Sequence, residues 1–459
     1  MTEDPVRWLW AAGAVVLWLL LIVAVVASVR RARRRDAERS RVLLGDGGDA
    51  TLVAFASQTG FAEELALMTA EALSRTGIGA RVVSFADLDL ALLRSARRAL
   101  FVVATTGEGD PPDSASRMLR KVLGSDAALP DLSYGMLALG DRAYHDFCGF
   151  AHAVDSWLQR AGATPLFDRI EVDNADPAAI RHWQHQLNLI TGSTAAPDWT
   201  PPAYERWRLI ERRLLNPGSP GGEAFHLAFE PVDHAPTWTA GDIVEIGVPA
   251  PADWPEGEPP PGAREYSVAS LPGDGRLELL VRLMRRPDGA PGLASGWLTR
   301  TAEIGGEVAM RVRVNRGFHG PSLQTPMILI GAGTGLAGLR AHLKARPAGN
   351  GGTWLLFGER TAAHDAFHDS ELQDRHASGG LTRLDRAFSR DAEDGRYVQD
   401  LITAHAAEVS AWIDRGAAIY VCGSLEGMAS GVHAALEAAL GAERLIALGE
   451  AGLYRRDVY

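Results

Sequence analysis

TLVAFASQTGFAEELALMTAEAL, Thr51 to Leu73, is the stretch that decides the fold. TLVAFA reads as a buried strand, and the residues from Phe61 onward read as an amphipathic helix. Between them lies a four-residue loop of Ser57, Gln58, Thr59 and Gly60. Free amides at a helix start, with two hydroxyls beside them, make a cradle for an anion. The loop holds no Lys, so it is not the GxxxxGK[ST] nucleotide loop, and a monophosphate ester suits it better than a triphosphate. A Ser or Thr helix cap gives the same letters, so the weight falls on what surrounds the loop.

Working outward, ARVVSF, ALFVVATT, YGMLALG and RIEV repeat the strand pattern between helical stretches such as Ala62–Thr76 and Phe150–Ala161. Five strands alternating with helices predict an α/β unit with a doubly wound parallel sheet over residues 50–192. Ligands of such sheets sit beyond the carboxyl ends of the strands. ATTGEGDPPDSA (Ala104–Ala115) follows the third strand and LGDRAYHDFCGF (Leu139–Phe150) the fourth, so both converge with Ser57–Gly60 on one crevice. The candidate ligand-holding residues there are Thr105, Thr106, Gly107 and Gly109, then Leu139, Gly140, Asp141, Tyr144, Phe147 and Cys148.

A Pro-rich linker, 193–205, ends this unit. Residues 206–324 change character: AFHLAFE, GDIVEIGV, EYSVAS, RLELLVRLM and EVAMRVRV, separated by Gly/Pro turns, predict an antiparallel β-barrel. Residues 325–459 return to α/β, with MILIGAG, GTWLLFGE, LTRLDRAF and AAIYVCG alternating with helices. In the barrel, REYSVAS (Arg264–Ser270) puts Arg264 and Tyr266 on one face and Ser267 on the other. GLASGWLTR offers a second anion cradle at a helix start, through Gly292, Ala294 and Ser295. MILIGAGTGLAGLRAHL turns through Gly331, Gly333, Thr334 and Gly335, which is not a strict GxGxxG. AFSRD and RYVQD contribute Ser389, Arg390, Arg396, Tyr397 and Gln399, and Cys422 follows a buried strand. The chain closes on YRRDVY, with an aromatic ring at Tyr459.

The two cysteines, Cys148 and Cys422, exclude a disulfide framework and a cysteinyl cluster. No metal is expected: HDAFH (His364–His368) imitates a zinc helix but has Asp in place of the Glu and no evident third ligand. A net charge of −11 argues against nucleic acid. Trp8 to Val29 is 22 residues without a charge, long enough to span about 30 Å of hydrocarbon. Arg30, Arg31, Arg33, Arg34 and Arg35 follow it, which predicts an uncleaved single-pass anchor (8–29), a basic linker (30–49) and a cytoplasmic body at the inner membrane.

Taken in order, these motifs resemble the diflavin reductases, the family of the sulfite reductase flavoprotein subunit and NADPH–haemoprotein reductase. The resemblance runs from Thr51 to Tyr459. It implies a flavodoxin-like FMN domain followed by a ferredoxin-reductase-like module that binds FAD and NADPH. SQTGFAEELA would then hold the FMN phosphate, GEGDPPD would run along the isoalloxazine, and Tyr144 would stack on it. RxYS and GxxS would bind FAD, with Arg264 and Ser295 at the pyrophosphate, Tyr266 on the flavin and Ser267 near its N5. Ser389 and Arg390 would take the 2′-phosphate of NADPH. Ser267, Cys422, Asp457 and Tyr459 would surround the site of hydride transfer, the terminal ring covering the FAD.

The chain departs from the family pattern at several points. Thr106 stands where some relatives have an aromatic, Ala332 and Gly338 replace two prolines, and Gly395 replaces a Lys beside Arg396. The Pro-rich loop Ala250–Ala263 stands where larger relatives insert a connecting domain, and the anchor resembles that of the membrane-bound haemoprotein reductases. The function implied is electron transfer from NADPH through FAD and FMN to a one-electron acceptor, a haem or sirohaem protein, docking on an acidic FMN domain. Direct reduction of ferric chelates or quinones, and a flavin redox sensor, are the alternatives.

Overall fold

Strand β1 (Thr51–Ala56) shows why the first unit is built in three layers. Leu52, Ala54 and Ala56 point to one face, where Phe85, Phe101, Phe150 and Trp157 pack. Val53 points to the other, against Leu65, Leu73 and Trp183. A strand buried on both faces reads as a continuous apolar run, as this one does. The computed structural model describes residues 50–458 apart from 116–117, 193–202, 234–236, 252–253, 256–260, 287 and 392–394. The predicted anchor at 8–29, the basic linker 30–49 and the ring of Tyr459 lie outside the described residues. Among the described residues no helix is long and apolar enough to cross a membrane.

The first sheet also contains β2 (Ala80–Ser84), β3 (Arg98–Ala104), β4 (Ser133–Gly140), β5 (Thr164–Pro165) and β6 (Ile170–Asp173). Its order is β2-β1-β3-β4-β5, all parallel, with β6 also paired to β4. The edge after β4 is thus one interrupted strand: β5 meets Ser133–Tyr134 and β6 meets Leu137–Gly140. The sequence pattern shows only the second piece, because a two-residue strand carries no periodicity.

The second sheet is antiparallel and six-stranded, in the order β10-β9-β12-β7-β8-β11. Its strands are β7 (Glu205–Leu214), β8 (Ala224–Pro231), β9 (Ile243–Ile246), β10 (Arg264–Ser267), β11 (Leu277–Arg282) and β12 (Glu307–Arg313). Strand β7, ERWRLIERRL, is absent from the expectations. Its four arginines mask an alternation in which Trp207 and Leu209 are buried while Arg206 and Arg208 are exposed. The two ends of the sheet meet where the Ala269 N–H donates to the Glu278 carbonyl at 2.8 Å.

The third sheet, β15-β14-β13-β16-β17, is parallel throughout. It comprises β13 (Met327–Ala332), β14 (Thr353–Glu359), β15 (Arg383–Phe388), β16 (Ala418–Gly423) and β17 (Tyr454–Val458). The chain end is therefore an edge strand, and its register sets Cys422 directly beside Asp457. HDAFH ties this unit to the antiparallel one: the Asp365 carboxylate accepts from Asn216 and Ser219, each at 3.0 Å.

Candidate active site

The loops after β1, β3 and β4 do meet. They line a crevice of about 250 Å³ that includes Ser57, Gln58, Thr59, Thr105, Thr106, Gly107, Leu139, Gly140, Asp141, Tyr144, Phe147 and Cys148. Gly60 starts the helix Phe61–Arg75 with φ 89°, a left-handed conformation natural only to glycine, and its N–H donates to Ser57 Oγ at 2.9 Å. Gly109, at φ 111°, sits under Asp146, where a Cβ would lie 2.7 Å from the Asp146 side chain. Thr106 closes its turn by exchanging N–H···O bonds of 2.8 Å with Asp110. The Thr105 hydroxyl is buried in the crevice without a partner, an acceptor and donor left for a ligand. Arg142 lies 4.5 Å over the Phe147 ring. Burial, with the nearby charge of Glu171, pushes the Cys148 thiol up to about 12, so it packs rather than reacts. A fourth loop joins in, unforeseen from sequence: Asn174 and Ala175 after β6, with φ of 45° and 61°. Its signal was the DNAD that follows RIEV.

Two more lining residues come from elsewhere in the chain: Glu265 of β10 and Val458 of β17. The first unit is docked against both of the others. Gln58 donates to the Arg456 carbonyl at 2.5 Å and accepts from the Asp113 N–H at 3.0 Å. Arg456 in turn forks onto the Asp113 carboxylate, with Nε to Oδ1 at 2.8 Å. Arg311 bridges Glu64 at 2.7 Å and Glu245 at 2.8 Å, and Arg316 meets Glu63 at 2.8 Å.

Beyond that wall lies a larger cavity of about 860 Å³, a size suited to a nucleotide cofactor. Glu265 lines it as well, followed by Tyr266 and Ser267 from the same strand. The opposite wall supplies Gly333 and Thr334, Ser389, Tyr397 and Gln399. Gly335, next in that turn, packs so tightly that a Cβ would lie 2.1 Å from the Cys422 carbonyl. Arg390 and Arg396 are exposed and outside the lining; Arg360, Arg282 and Glu359 are in it, and the sequence reading missed all three. Arg282 is paired with Glu359, whose own carboxyl burial shifts upward. FGER at the end of a buried strand was the available signal.

Arg264 is exposed and donates to the carbonyls of Gly262 and Ala263 at 2.9 and 3.0 Å. Gly292, Ala294 and Ser295 form the short helix start at Leu293–Gly296, where Ser295 Oγ accepts from the Met284 N–H at 3.1 Å. None of these four lines the large cavity, although Met284 does.

At the meeting point of β10, β16 and β17, Ser267 Oγ donates to Asp457 Oδ2 at 2.6 Å, and Cys422 Sγ lies 3.7 Å from the same oxygen. All three side chains are buried. Burial raises the Asp457 pKa against the two hydrogen bonds that favour its charged form. Burial, then the charge of Asp457, raises Cys422 well above the ordinary thiol range. Gly338 is close-packed on this cluster, its absent Cβ 3.3 Å from Cys422 Sγ and 3.5 Å from Ser267 Cβ. A proline in its place would press on Cys422 Sγ and the Phe318 ring.

Two family models match the chain: Flavodoxin over residues 53–183 and Oxidoreductase NAD-binding domain over residues 329–434. The chain is also similar, almost end to end, to proteins named sulfite reductase [NADPH] flavoprotein alpha-component. That of Yersinia enterocolitica is 27% identical over 88% of this chain and 89% of its own, and that of Neisseria meningitidis 27% over 88% of each. That of Vibrio parahaemolyticus is 29% identical over 90% of this chain and 86% of its own. Together these matches support a diflavin reductase family for the chain. The alignment to the Yersinia enterocolitica protein runs over 536 positions, more than the 459 residues of this chain, so that relative carries segments this one lacks. The short Pro-rich loop before β10 is in keeping with such a loss.

Proposed function

We propose that this diflavin reductase is a membrane-anchored enzyme that takes hydride from NADPH and delivers single electrons to a haem protein. It would do so through an FMN domain at 50–192, an FAD-binding barrel at 206–324 and an NADP-binding domain at 325–459. The observation that carries the reading is the shared wall: Glu265 lines both cavities, and Val458, beside Asp457, lines the smaller one. When bound, the two flavins would supply the chemistry that converts a two-electron hydride into single electrons.

The residues present fit those groups. The unpartnered Thr105 hydroxyl, the left-handed Gly60 and the free amides of the Phe61–Arg75 helix suit an FMN phosphate and ring edge. Tyr266 offers an aromatic face beside Ser267, and burial pushes its phenol up to about 12, so it stays neutral. Ser389 and Arg360 line the larger cavity and could donate to a phosphate of NADPH, with Arg390 adjacent to Ser389 in sequence. The Ser267–Asp457 bond fixes the hydroxyl in one orientation at the cavity edge.

Of the acidic loop residues, Asp113 is paired with Arg456, while Glu108, Asp110 and Asp146 are exposed. Such carboxylates steer a basic partner. The arginines after Val29 support a cytoplasmic body. The test is steady-state NADPH oxidation by the full-length protein in detergent, with and without a basic haem protein. Sustained turnover that rises with the haem protein supports the proposal. A single turnover without recycling would make the chain a redox sensor, and equal rates with ferric chelate or quinone alone would make it a partner-free reductase.

A further inference from the structure

In RVRVNRG (Arg311–Gly317), the end of β12 and the turn after it, each of the three arginines crosses to the first unit and lands on one short stretch, Thr59–Glu64. Arg313 is 6% exposed; its Nη2 donates to Thr59 Oγ1 at 3.3 Å, its guanidinium pairs with Glu265, and its Nε is buried without a partner. A hydroxyl that accepts from a guanidinium keeps its own proton free to donate, and Thr59 lines the crevice. Glu63 and Glu64, in the first turn of the helix, would repel a phosphate at its N-terminus. Arg316 and Arg311 offset them only while the two units touch. The touch is close: a Cβ on Gly60 would lie 2.5 Å from the Val314 carbonyl.

We propose that Arg313 is a positioning residue for the FMN phosphate, holding Thr59 from across the boundary and so coupling FMN binding to docking of the barrel on the FMN domain. The inference rests on the reading of Ser57–Gly60 as the FMN phosphate loop. It supplies, from another domain, the cation that this loop lacks. By reciprocity, FMN tightens docking by the factor by which docking tightens FMN.

The experiment titrates flavin-stripped full-length protein in detergent with FMN and, separately, with riboflavin, which has no phosphate, following the quenching of flavin fluorescence. Arg313→Gln is combined with Glu265→Gln so that the half-exposed Glu265 carboxylate is not left without its guanidinium partner, and Glu265→Gln alone is the reference. Relative to that reference the double variant should bind FMN about tenfold more weakly and riboflavin equally well. High salt should weaken FMN in the wild type and do so less in the double variant, which keeps the Arg311–Glu64 and Arg316–Glu63 pairs but has lost the Arg313 contact. Arg316→Gln, exposed and away from Thr59, should cost FMN only about twofold. Unchanged FMN affinity in the double variant overturns the inference, as does an equal loss for both ligands or a wild type indifferent to salt. A wild type that binds neither flavin overturns the phosphate-loop reading itself, and the inference with it.

Discussion

Ser267→Ala removes one oxygen from the most constrained point of the molecule. Its hydroxyl donates to Asp457 Oδ2 at 2.6 Å, both groups are buried, and the remaining donor to that carboxylate, Cys422 Sγ, is 3.7 Å away. A hydrogen bond to a charged group contributes about 1.5–3 kcal/mol. Its loss should lift the already raised Asp457 pKa further, since the hydrogen bond favours the charged form. The sign follows from proton counting. A raised pKa means that the native state holds a proton the unfolded state has released, so stability falls as pH rises from the ordinary Asp range through the raised value. Ser267→Ala should extend that fall to higher pH, so urea denaturation should show a larger deficit in mildly alkaline than in mildly acidic buffer. In stopped flow with NADPH, flavin bleaching should slow on the order of a hundredfold if the hydroxyl assists the transfer. An alanine variant with wild-type bleaching and a parallel stability–pH curve would refute the reasoning and leave Ser267 as packing.

Arg360→Ala and Arg390→Ala should each weaken NADPH by up to roughly thirtyfold, about 2 kcal/mol, and hardly affect NADH; steady-state KM values for the two nucleotides decide it. Charge reversal by Asp146→Lys should lower the rate of reduction of a basic haem protein at low salt, with the difference closing as salt rises. Glu278 is 2% exposed and joins the barrel to the Leu336–Ala345 helix through Arg340 at 2.5 Å and Lys344 at 3.6 Å. Burial opposes its charge, but Arg340 and Lys344 outweigh it and bring the pKa down to about 2. Its stabilisation is therefore present above the ordinary Glu value and lost as pH falls toward 2. Glu278→Ala should cost about 1.5–3 kcal/mol at neutral pH in a denaturant melt, because it removes one of the two carboxylates on Arg340 and leaves Glu371 at 2.8 Å.

Much of the architecture is legible in the sequence because the strands β1, β3, β4, β13, β14 and β16 are continuous apolar runs bounded by turns. Strand β7 is not, since its exposed face is arginine and its buried face has only Trp207 and Leu209 to announce it. The crevice loops are legible for a topological reason: in a parallel sheet, every strand-to-helix loop must emerge at the same end. The wall between the cavities is not. Glu265, Val458 and Asn174 come from three separate parts of the chain, and no local pattern shows that they meet. The same holds for Arg311, Arg313 and Arg316, which read as the polar face of an ordinary strand and turn until their partners at Thr59, Glu63 and Glu64 are seen. Cys422 and Asp457 lie 35 residues apart and become neighbours only through the pairing of the chain end with β16.

The measurement that bears most directly on the two-flavin relay is the flavin content of the purified full-length protein, released by acid and separated by chromatography. Two separate cavities, one at the Ser57–Gly60 loop and one between β10 and the Gly333–Gly335 turn, predict one FMN and one FAD per chain in near-equal amounts. Recovery of FAD alone, from protein whose crevice loops are intact, would contradict the account.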